Sequence, residues 1–158
     1  MAMKPTYDDL VQWMHDYFAT YNQYAQNAET VHEMDKYFAP DFNFIPYVYL
    51  FGGPKNPIRG REAFYKLLTG HPTDYEQFKV EQIAVDERQM VAVAFLEASI
   101  YDTQSNALKV RKNYLAWYDL GVDEEGEPKI KRVRFFWEAT PPEVDAKYAV
   151  PPDMAQKR

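Results

Sequence analysis

The side chains in this sequence that could move a proton or steady a developing negative charge are carboxylates, three histidines and thirteen tyrosines. There is no cysteine, so thiolate nucleophiles, disulfides and cysteine-ligated metals are excluded. Tyr17, Tyr21 and Tyr24 recur at steps of four and three, which puts three phenols on one stripe of a helix. A phenol among apolar groups can donate to a substrate oxygen and stabilise enolate charge. The competing reading is that these rings only pack the helix onto a sheet. His71 precedes Pro72 in a turn, where an imidazole could shuttle protons near neutral pH or cap the surface. His15 lies off the tyrosine stripe and reads as exposed. The histidines form no HxH or HExxH pair, so no metal site is expected. No GxGxxG, Walker or GxSxG pattern occurs, and no cofactor is expected either.

These groups need elements to hold them. Thr6 and Asp9 have the spacing of a capping box, followed by Leu10, Met14 and the tyrosines on one helical stripe. A second box, Thr30 to Glu33, predicts a shorter helix with Val31, Met34, Tyr37 and Phe38 inside, stopped by Pro40. The run 42–49 is β-prone, and Pro46 within it predicts an edge or bulged strand. Gly52, Gly53, Pro54 and Pro57 mark a loop. A third helix over 61–68 should bury Phe64, Leu67 and Leu68, with Gly70 at its C′ position. Four antiparallel strands are predicted near 78–85, 89–102, 107–120 and 129–138. Helices followed by a run of strands give an α+β class. Residues 1–140 read as one domain, and 141–158, with Pro141-Pro142 and Pro151-Pro152, as an extended or partly disordered tail.

A chain of 158 residues suits one domain, which can bury roughly two-thirds of its unfolded surface without a staple. The net charge of −6 argues against binding nucleic acid through its phosphates. No run approaches the roughly 18 apolar residues of a membrane span, and the first residues lack a signal peptide's apolar stretch. With the missing cysteines, this predicts a cytoplasmic protein that does not engage membranes. Aromatic residues are 16% of the chain, enough to line a pocket for a small hydrophobic molecule or to fill a core and a subunit interface.

Three segments carry a family resemblance in order: Tyr17-Phe18-Ala19, the run from Tyr37 to Phe42, and Gly60-Arg61-Glu62-Ala63-Phe64. With the closing run from Lys129 to Glu138, the chain over 6–138 resembles the NTF2-like superfamily, particularly its SnoaL-like and ketosteroid-isomerase-like branches. The resemblance implies an NTF2-like (cystatin-like) cone of three N-terminal helices packed on a strongly curved, mostly antiparallel sheet. It implies an open apolar pocket, and a homodimer formed through the outer sheet face. Tyr17 matches the hydrogen-bond-donating tyrosine of the steroid isomerases. Their general-base aspartate falls at Pro46 and their second acid near Ala116, so ketosteroid isomerisation is not expected.

The same resemblance implies which strand faces look inward. These are Phe42, Phe44 and Pro46 on the first strand, Tyr114, Ala116 and Tyr118 on the penultimate, and Val133, Phe135 and Trp137 on the last. On the strand at 89–102 it implies Phe95, Glu97 and Tyr101 inward. The opposite face, Ala92 to Ile100, could instead be the core. Inside an aromatic pocket, Glu97 would have its charged form disfavoured and could act as an acid–base group. Its other reading is an ion pair with Arg111 or Lys112. Asp35, with His32 or His71, matches helix-borne dyads of some superfamily dehydratases, or is simply a solvated acid. Arg111, Arg132 and Arg134 should face outward. The sequence thus supports a binding domain whose pocket is lined by Tyr21, Phe42, Phe44, Phe95, Tyr101, Tyr114, Tyr118, Phe135 and Trp137. The alternative is a cofactor-free lyase, isomerase or cyclase in which Glu97, Tyr17, His71 and Asp35 do the chemistry.

Overall fold

The structure, a computed structural model, describes residues 4–48 and 53–139. The proline-rich tail, Tyr49 of the first strand and Gly52 of the following loop lie outside them. Helix α1, Tyr7–Tyr24, begins where its sequence requires. The Asp9 amide donates to the Thr6 hydroxyl at 3.2 Å, and the Thr6 amide donates to the Asp9 carboxylate at 3.0 Å. Its buried stripe is Leu10, Met14, Tyr17, Phe18 and Tyr21. The second box makes no cap. Thr30 turns its hydroxyl to donate to the Tyr24 carbonyl at 2.9 Å, and Val31–Lys36 winds as a 3-10 helix. The described helices are therefore two α-helices and this one 3-10 segment.

Six strands form one sheet: β1 (Phe38–Pro46), β2 (Ile58–Arg59), β3 (Asp74–Asp86), β4 (Val91–Asp102), β5 (Leu108–Val122) and β6 (Pro128–Trp137). Their order is β2-β1-β6-β5-β4-β3, antiparallel except for β1 beside β6. Register shifts in β1, β3, β4 and β5 mark the places where a sheet bends. β1 starts earlier than predicted and contains Pro40 rather than following it. Pro46 lies past the two residues that β2 pairs, so its missing N–H leaves no ladder position unfilled on that side. Helix α2, Arg61–Thr69, enters through Gly60, whose φ of 86° suits glycine. Gly70 ends it at φ −86°, not left-handed. A glycine is required there for space, because a Cβ would sit 2.8 Å from the Lys66 carbonyl.

The face of β4 is the main correction to the expected layout. Ala92, Ala94, Leu96 and Ala98 are wholly buried, whereas Phe95 is 44% exposed. Strand alternation carries Glu97 outward with it, beside Arg111 at 4.0 Å. The small apolar face is the core because its alanines leave volume for the large rings brought by α1 and β5, such as Tyr17, Phe18 and Tyr118. Arg132 and Arg134 are partly exposed and both meet Asp119, at 2.7 and 3.5 Å. No described helix is long and apolar enough to cross a membrane.

Candidate functional site

Between α1, the end of α2 and the inner face of the sheet lies a cavity of about 320 Å³. Its walls are mostly apolar. Phe44 and Phe64 close one side, Leu67 and Leu68 come from α2, and Phe78, Leu96 and Ile100 from β3 and β4. Tyr114, Phe135 and Trp137 form a ring cluster with centroids 4.9 to 6.1 Å apart. Tyr17, Tyr21 and Tyr118 complete the wall under α1. Burial pushes all three phenols well above their ordinary range, so each stays protonated. Tyr17 and Tyr118 hydrogen-bond to one another.

The polar end of the cavity is built on Glu76. The Tyr114 hydroxyl donates to its carboxylate at 2.5 Å, and the Tyr21 hydroxyl donates a second bond. Burial raises the Glu76 pKa above its ordinary 4.5. The Tyr114 bond, the Lys112 charge and the Tyr21 bond each oppose that rise without cancelling it. Lys112 is almost wholly buried and carries its ammonium 3.9 Å from the centre of the Trp137 ring. It is the one lysine or arginine among the described residues lining the cavity.

Glu76 is held by its backbone as well. The Gln26 amide at the end of α1 donates to the Glu76 carbonyl at 2.5 Å and accepts from the Glu76 N–H at 2.7 Å. One helical turn earlier, Asn22 does the same for Phe78, at 2.9 and 2.8 Å. Two carboxamides thus occupy the free edge of β3 as a neighbouring strand would. The i, i+4 spacing on the helix matches the i, i+2 spacing of one strand face.

The predicted site residues divide into three groups. Tyr17, Tyr21, Phe44, Tyr114, Tyr118, Phe135 and Trp137 line the cavity, and His71 stands exposed at its mouth. Phe42 is buried behind the cavity wall, against Phe38 and Phe64. Phe95, Glu97, Tyr101 and Asp35 do not reach it. Tyr101 stacks on Tyr75 across the β3–β4 pair at 5.1 Å. Asp35 accepts a 2.6 Å bond from Tyr65, and His32 meets Glu62 at 2.9 Å. These contacts fasten the 3-10 segment to α2, and no dyad with His71 forms.

Sequence reasoning missed Glu76 and the inward direction of Lys112. Both had a signal. β3 begins four residues before its predicted start, and Glu76, Phe78 and Val80 alternate on one face. Lys112 shares the parity of Tyr114, Ala116 and Tyr118, which were placed inward.

No protein-family profile matches the sequence, and no curated protein matches it. Solved structures do. The pinacolase BvnE from Penicillium brevicompactum is 19% identical, with TM-score 0.61 over 87% of this chain and 88% of its own. A Jannaschia sp. CCS1 protein named for SnoaL-like polyketide cyclases is 14% identical, with TM-score 0.63 over 87% and 91%. A Methylobium petroleophilum PM1 protein of unknown function with a cystatin-like fold is 14% identical, with TM-score 0.60 over 91% and 85%. The helix-backed six-stranded sheet and these likenesses together identify the chain's fold as NTF2-like (cystatin-like), of the SnoaL-like kind.

Proposed function

We propose that the cavity binds a small hydrophobic molecule, and that the protein works as a ligand-binding domain of the SnoaL-like type. The observation that carries this is an aromatic-walled space of about 320 Å³ whose polar groups converge at one end, the usual build of a small-molecule site. Titration with neutral 2-acetylnaphthalene, followed by tryptophan fluorescence, tests it. Binding should saturate in the natural protein and be lost in Leu67→Trp, which fills the cavity, with the circular dichroism unchanged. Absent binding, or binding indifferent to the filling, would overturn the reading.

A second reading is favoured by Glu76: cofactor-free lyase, isomerase or cyclase chemistry on a hydrophobic cyclic carbonyl or hydroxyl compound. A carboxyl with a raised pKa at the end of an apolar pocket suits proton transfer. In it, Glu76 takes the place expected of Glu97, with Tyr17 and His71 kept as pocket groups. The likeness to a pinacolase supports it as analogy of fold. A homodimer through the outer sheet face belongs to the same proposal, supported by the exposed Phe95, Leu115, Trp117 and Phe136 on that face. A cytoplasmic location rests on the cysteine-free composition.

A further inference from the structure

Resting on the binding reading above, we propose that the cavity selects flat apolar acids and takes up their carboxylate at Lys112 and Glu76 together with a proton. The geometry supplies three constraints. The walls are rings and aliphatic chains, so the body of the ligand is apolar and planar. The polar end holds one ammonium, Lys112, beside one carboxyl, Glu76. Both sit on the inner face, with Tyr114 between them in the sheet and donating to Glu76.

The charge balance then decides the ligand class. A cationic ligand would meet the Lys112 ammonium at close range, where like charges repel strongly in a low-dielectric site. A carboxylate is attracted by Lys112 but repelled by an ionised Glu76. Two carboxylates facing each other share one proton, because the second charge is disfavoured. The protonated Glu76 then donates its O–H to the ligand carboxylate, Lys112 supplies the counter-charge, and the filled site is neutral overall. Burial already raises the affinity of Glu76 for that proton.

The groups facing Glu76 are few. From α1 come Tyr21 and the Gln26 amide, and from β5 Tyr114 and Lys112. Its strand neighbour on β4 is the apolar Ile100. Farther out, Asp74 is paired with Lys109, and His71 stands at the mouth. Of these, Glu76 is the group positioned to accept the proton that accompanies an acid.

The test compares 2-naphthoate with its neutral isostere 2-naphthamide by isothermal titration calorimetry between about pH 5.5 and about pH 8, where a carboxylic acid probe stays ionised. The acid is expected to bind roughly tenfold or more tightly than the amide at the acid end, and to weaken as pH rises. Titration in buffers of different ionisation heat should show uptake of a proton. Glu76→Gln, which carries a fixed N–H donor, should keep acid binding and lose its pH dependence. Lys112→Met should bring acid and amide to equal affinity. Equal affinity in the natural protein, or a pH dependence unchanged by Glu76→Gln, would overturn the proposal. Amide binding without acid preference removes this inference alone. If neither probe nor 2-acetylnaphthalene binds, the pocket reading itself fails.

Discussion

Glu76 and Glu97 lie on adjacent, paired strands and differ in almost everything that matters for function. Glu97 stands opposite Lys79 on the outer face and reaches Arg111 at 4.0 Å. Glu76 stands opposite Ile100 on the inner face and accepts hydrogen bonds from two tyrosines. Residue type is the same, as is strand context. What separates them is parity against the face that helix α1 covers. On the covered face, desolvation is the largest influence on the carboxyl, whereas on the open face solvent screens the charge. Chemistry in this fold is thus decided by a one-residue choice of face, and the comparison can be broken at several levels.

The largest effect should come from the strand that sets the two faces. Leu96→Ala removes a wholly buried side chain and should lower stability by about 2–5 kcal/mol in urea unfolding. Phe95→Ala, one position away and 44% exposed, should cost less than about 1 kcal/mol in a monomer. Phe95→Glu should also shift a dimer toward monomer in analytical ultracentrifugation if copies pair through the outer face. Equal losses for the two alanine variants would mean that the sidedness of β4 is wrong.

Much of this fold was legible because it is written in periodicity. The α1 stripe, the Thr6–Asp9 cap and the long antiparallel strands follow from local spacing alone. The face of β4 was not legible in the same way. Both of its faces are largely apolar, Ala92-Ala94-Leu96-Ala98 on one side and Val91-Val93-Phe95 on the other, so alternation gives no sign. Size decides it: the small side must lie under the rings of α1, which is a tertiary fact. Glu76 was hidden for another reason. Its strand begins among Pro72, Thr73 and Asp74, residues of turn character, and is held in the sheet by Gln26 and Asn22 from a distant helix. Long-range side-chain pairing of that kind leaves no local mark.

That pairing gives the second way to sharpen the comparison. Gln26→Ala leaves the N–H and carbonyl of Glu76 without their partner at a partly buried edge, and should cost about 1–3 kcal/mol. Amide exchange at Glu76 should speed up, while that at Glu97, inside the β3–β4–β5 ladder, should follow only the global change. Equal acceleration at both sites would show that the carboxamides do not pin β3 in particular.

The smallest effect at any single pH, and the sharpest in its sign, concerns the two carboxyls themselves. Burial raises the folded pKa of Glu76 above 4.5, so the folded chain holds that proton more tightly than the unfolded chain. Below about pH 4.5 both states are protonated and the group contributes no slope. As pH climbs through the raised value, the folded state must ionise a buried carboxyl, and stability falls. Glu76→Gln cannot ionise. Its melting temperature relative to the natural protein should therefore rise steadily from about pH 4.5 to about pH 8. Glu97→Gln removes a surface pair and should change stability by less than about 0.5 kcal/mol at neutral pH. A Glu76→Gln difference that stays flat with pH, or shrinks, would place the Glu76 carboxyl in water and return the two glutamates to the same class.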